Sequence, residues 1–119
     1  MHILAIIWQP NKNWLALSAE QQLDYLRTLD TPINSARALG MVVLGWSTVD
    51  SRVPKTPSNT FIGVFAMQTA EGIIELEKAV AQSDWYHYFD STNISASLQG
   101  MNEAQPHKVY AKLLQINAE

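Results

Sequence analysis

The chain has 119 residues, a length that suits one domain over 1–119, and its net charge of −3 and pI near 5.5 exclude the clustered basic footprint of a nucleic-acid-binding surface. It contains no cysteine, which excludes disulfides, thiolate catalysis and thiolate metal sites. Hydrophobic residues make up 47% and charged ones only 16% of the chain; a soluble domain carries about a quarter charged, so part of the surface is expected to meet another chain or line a cavity.

"MHILAIIW" is too short for the core of a signal peptide and lacks a basic region before it, and no run approaches the length of a bilayer span, so a cytoplasmic protein without membrane contact is expected. "HILAIIW" is a compact apolar run stopped by "QPNKN", and it reads as an interior strand. Ser18 and Gln21 have capping-box spacing, so a helix should start near Ala19 with Leu23 and Leu26 on one face. The segment "TPINSARAL" looks like a restart, with Thr31 as cap and Pro32 in the first turn, and Gly40 ends it before the strand "MVVLGWSTV".

After the loop "DSRVPKTPSN", in which Asp50 and Arg52 read as a solvated turn, "TFIGVFAM" is a third strand, apolar on both alternating sets. Thr69 caps a helix whose stripe is Ile73, Leu76 and Val80, ending near Gln82 or Ser83. "STNISASLQG" is the fourth strand, and Pro106 to Ala118, with Val109, Leu113 and Ile116 at helical spacing, reads as an extra C-terminal helix.

The order strand, helix, strand, strand, helix, strand is that of the α+β, ferredoxin-like plan, a four-stranded antiparallel sheet with helices on one face. The first three strands are too apolar to leave the other face wet, so two copies pairing their sheets as a homodimer are expected.

Chemistry-bearing residues concentrate in "DWYHYFD". In a helical turn Trp85 and Phe89 share one side, while Tyr86 and His87 point elsewhere, so one subset plugs the core and the other faces solvent, a pocket or a partner. His87 is a structural or solvent-facing histidine, a general base near neutral pH or a metal ligand; Asn93 is either a turn residue or a donor to an oxyanion. Trp8 and Trp46, near the ends of their strands, either flank an opening or anchor loops, and Tyr86, Tyr88 and Trp85 suit a pocket or an interface. His2, His87 and His107 lie far apart, and no metal site or phosphate loop is expected.

The runs "IIWQP", "VLGW", "VFAM" and "SDWYHYFD" resemble a group of short proteins within the dimeric α+β barrel superfamily. The resemblance implies that fold, and a pocket between sheet and helices lined by Trp8, Trp46 and the Trp85 cluster. It also implies chemistry of the cofactor-free kind, monooxygenase- or isomerase-like, on a small aromatic or polyketide-like substrate. Haem-binding members use an axial histidine, and none of the three here matches its position, so no cofactor is expected. The rival reading is a non-catalytic protein binding a small hydrophobic metabolite or a protein partner.

Overall fold

A computed structural model describes residues 1–109. Its elements run β1 (His2–Pro10), α1 (Lys12–Leu15), α2 (Ala19–Thr28), α3 (Asp30–Ala38), β2 (Val42–Thr48), β3 (Phe61–Met67), α4 (Ala70–Gln82), α5 (Trp85–Tyr88) and β4 (Phe89–Ser97), followed by a single 3-10 turn at Pro106–Lys108. The C-terminal helix expected to Ala118 lies, beyond Val109, outside the described residues.

The strands form one antiparallel sheet in the order β2-β3-β1-β4, the ferredoxin-like arrangement. β1 is interior, as its unbroken apolar run suggests, pairing Leu4 with Phe65 on one side and Ser95 on the other. Period-two alternation sends Leu4, Ile6 and Trp8 to one face, where all five helices pack; Leu4, at 1% exposure, is the centre of this core. Phe65, Met41, Ile73, Trp85 and Phe89 complete it.

Ile3, Ala5 and Ile7 of β1 fall on the opposite face, in register with Ala66, Val64 and Ile62 of β3 and with Ala96, Ile94 and Thr92 of β4. No helix packs there among the described residues, and Val42, Leu44 and Ile94 are 54%, 55% and 49% exposed. The expectation of a dimeric α+β barrel is corrected by this sheet, which among the described residues is open, with β2 and β4 as its edges. A barrel closes only where its edge strands find partners, and among the described residues β2 pairs with β3 alone and β4 with β1 alone. The apolar runs specify strands with apolar side chains on both faces and do not specify how the edges end, so an open ferredoxin-like sheet carries them equally well.

Local chemistry explains the helix boundaries. Ser18 and Gln21 form the capping box and α2 starts at Ala19. α3 departs from expectation: it begins at Asp30, preceded by Leu29 with no side-chain cap, so Thr31 lies inside its first turn. Pro32 has no N–H to bond back to Thr28, and the ladder resumes with Ile33 N donating to Leu29 O at 3.0 Å. One residue therefore separates the two helices. Gly40 closes α3 with φ of 104°, a conformation that favours glycine.

No helix is expected at "QPNKN", yet Asn11 caps α1 by accepting from the N–H groups of Asn13 and Trp14. The long loop is pinned where it meets β3: buried Thr60 donates to Ser58 O at 2.8 Å and accepts from Gln9 Nε2 at 3.2 Å.

Candidate functional site

A pocket of about 60 Å³ opens between α3, α4 and the helix-bearing face of the sheet. Its floor is Ile6, Phe65, Trp46 and Trp85, one wall is Leu29, Pro32 and Ile33, and the other is Leu76, Ala79 and Val80, with Met41 and Ser83 at the ends. β1, β2 and β3 supply Ile6, Trp46 and Phe65 of the floor and α5 supplies Trp85, while the stripe Leu76 and Val80 supplies the α4 wall. Among the described residues no ionisable side chain lines it, and the hydroxyl of Ser83, their one polar side-chain group there besides the indole N–H groups, donates to Val80 O at 2.7 Å.

Three of the four tryptophans converge beside the floor. Trp8 stands edge-on to Trp46 and to Trp85, with ring centroids 5.9 Å and 5.0 Å away, and stacks on Phe61. Trp46 and Trp85 line the pocket, with Trp8 packed behind them. Gly63 makes room for this group: a Cβ there would lie 2.8 Å from the Trp46 ring. Trp85 is buried and donates its indole N–H to Ser91 Oγ at 3.0 Å, which satisfies the one polar atom it brings inside.

The rest of "DWYHYFD" divides in three directions. Asp84 takes a left-handed conformation, φ 64°, and turns the chain from α4 into α5. Phe89 already belongs to β4, yet its ring lies 4.2 Å from that of Trp85 in the core. Tyr88 packs on Trp14 and Tyr25 under α1 and α2, with ring centroids 5.7 Å and 4.6 Å away.

Tyr86 faces outward over β4, where it donates to Glu77 Oε1 at 3.0 Å and accepts from Asn93 Nδ2 at 2.8 Å. Partial burial pushes the Tyr86 phenol above its ordinary pKa; the Asn93 bond opposes this and the Glu77 carboxylate adds to it. His87 is exposed, its ring beside Tyr88, while its backbone carbonyl accepts from Asn11 Nδ2 and Asn13 Nδ2, each at 2.9 Å. The structure thus joins Asn93 to Tyr86 rather than to His87, and neither His87 nor Asn93 lines the pocket.

Sequence reasoning missed Tyr25. Its hydroxyl donates to Ser83 O at 2.8 Å, tying α2 to the end of α4, and burial raises its pKa above the ordinary tyrosine value. Its place one turn before Leu29 on the apolar side of α2 was the available signal. Asp50 and Arg52 form a two-pronged exposed ion pair, at 2.7 Å in its shorter arm, within the turn read from the sequence. Among the described residues no three His, Asp or Glu side chains gather as a metal set, and no helix is long and apolar enough to cross a membrane.

Residues 1–111 match the model of a family described as a family of unknown function (DUF6616). The chain belongs to that family. This match replaces the resemblance to the dimeric α+β barrel superfamily, which rested on apolar runs and aromatics that any half-buried sheet of this topology can carry. No curated protein matches the chain. Among solved structures it is similar to the crystal structure of protein Atu4242 from Agrobacterium tumefaciens, at 13% identity, a TM-score of 0.47, and coverage of 83% of this chain and 94% of that one. The similarity is distant, and nothing about this member of DUF6616 follows from it.

Proposed function

We propose that this protein binds a small apolar molecule in the pocket between α3, α4 and the sheet, that it does so without transforming it, and that its 119 residues act as one domain. The observation that carries the reading is the lining: among the described residues, aliphatic and aromatic side chains with a single, internally bonded hydroxyl. Such a surface gains from desolvating an apolar ligand but offers no group to move a proton. Trp46, Phe65 and Trp85 are the contacting aromatics and Trp8 supports the two tryptophans.

The catalytic rival is a cofactor-independent reaction on an aromatic or polyketide-like substrate, with His87 as base and Asn93 as anion donor. It needs those two groups at the bound molecule, and the lining favours binding over it.

A homodimer through the open sheet faces is part of the same proposal. Its support is an uncharged centre made of Ile3, Ala5, Ile62, Val64 and Ile94, on a chain with few charges overall. Calorimetric titration with toluene, with phenol as a polar counterpart, tests the binding reading. Saturable toluene binding in the micromolar to millimolar range, weakened by Phe65→Ala, is expected. No heat with either compound would overturn it, and consumption of the bound compound that stops in His87→Ala would favour the enzyme.

A further inference from the structure

The pocket is smaller than the ligands its aromatic floor suits. It measures about 60 Å³, whereas an apolar cavity of about 150 Å³ accommodates benzene. Its walls differ in how firmly they are held. The floor carries the buried residues Ile6, Phe65 and Trp85, and α4 is fixed by buried Ile73. Neither α2 nor α3 contains a buried residue; α3 rests on the core through the half-buried Ile33 and Ala36, with Leu29 just before it.

The segment is also jointed at both ends of α3: a proline-interrupted ladder at Leu29, and Gly40 at φ 104°, where a side chain would meet nothing within 4 Å. One turn upstream, the Tyr25 hydroxyl bonds to Ser83 O at the rim of the pocket. We propose that α3 is a movable wall of the pocket, hung from Tyr25, and that its displacement admits a ligand of aromatic-ring size.

This rests on reading the pocket as a ligand site. The α4 wall and the floor stay in place, and the cavity grows by the outward swing of Leu29, Pro32 and Ile33. Tyr25 is a positioning residue: the swing of α3 carries the C-terminal turn of α2 with it and parts the Tyr25 hydroxyl from Ser83 O, so that one bond biases α3 towards the closed state.

The test compares the full-length protein with Tyr25→Phe, which keeps the ring and loses the hydrogen bond. Amide hydrogen exchange in α3 should quicken about fivefold, with β1 and β3 unchanged, because a typical hydrogen bond of this kind biases a local opening by that order. Toluene, which needs the open state, should bind about fivefold more tightly to the variant, whereas xenon, which fits the pocket as it stands, should bind both alike. Unchanged exchange in α3, or a rise shared equally by β1 and β3, would overturn the movable wall, as would equal toluene affinities in the two proteins. If toluene binds neither, the ligand-site reading falls by itself, and faster exchange confined to α3 of the variant would still support the wall.

Discussion

Adjacent residues in "DWYHYFD" have opposite fates, and their energetics should differ accordingly. Trp85→Ala removes a buried indole from the centre of the aromatic group and should cost about 3–5 kcal/mol in a denaturant melt. His87→Ala should change stability by about 0.5 kcal/mol or less, because the imidazole is exposed and the bonds from Asn11 and Asn13 end on its backbone carbonyl. A loss above 2 kcal/mol at His87 would show that its ring holds the fold. Tyr25 gives a pH signature. Its folded pKa is raised, first by burial, so the folded state keeps the phenol proton longer than the unfolded chain, whose tyrosines titrate near 10. That contribution is complete below pH 10 and is lost as pH climbs through the folded value. Melting temperature above pH 10 should therefore fall more steeply in the native protein than in Tyr25→Phe; parallel slopes would contradict the assignment. The split of Trp85 and Phe89 from Tyr86 and His87 was legible from helical spacing, although Phe89 reaches the core from a strand. The partners of Asn93 and Tyr25 were not legible, since each is set by elements distant in sequence.

Element boundaries were readable wherever a side chain bonds to its own neighbourhood. The Ser18 box and the Thr69 cap are local and fall where their spacing puts them. Ser18→Ala should lower stability by about 1 kcal/mol, measured by urea unfolding, and no change would mean that α2 is held wholly by packing. The start of α3 was misplaced because the helix resumes without a cap, on backbone geometry alone. Gly63 illustrates a demand that sequence cannot show: it sits in β3 because the Trp46 ring crosses directly over it. Gly63→Ala should cost about 1–3 kcal/mol by overpacking. The same change paired with Trp46→Phe should recover part of the loss, and purely additive losses would mean that the ring is not the obstacle.

At the scale of the whole molecule, strand order and the one-sided helical layer follow from the pattern of apolar runs, whereas closure into a barrel does not, because edges depend on strand number and curvature rather than on hydrophobicity. The open face makes its own prediction: light scattering at micromolar concentration should give twice the chain mass, and Ile94→Glu should halve it while leaving the melt of the helix-bearing core nearly unchanged. A monomer in both proteins would remove the proposed pairing. The central claim, that the pocket under α3 and α4 is the binding site, is tested most directly by methyl resonances of isoleucine, leucine and valine during a toluene titration. The account predicts saturable shifts at Ile6, Leu29, Ile33, Leu76 and Val80, which line the pocket, with Ile62, Val64 and Ile94 on the open face unmoved. Shifts confined to the open face, or none up to saturation of the solvent with toluene, would contradict it.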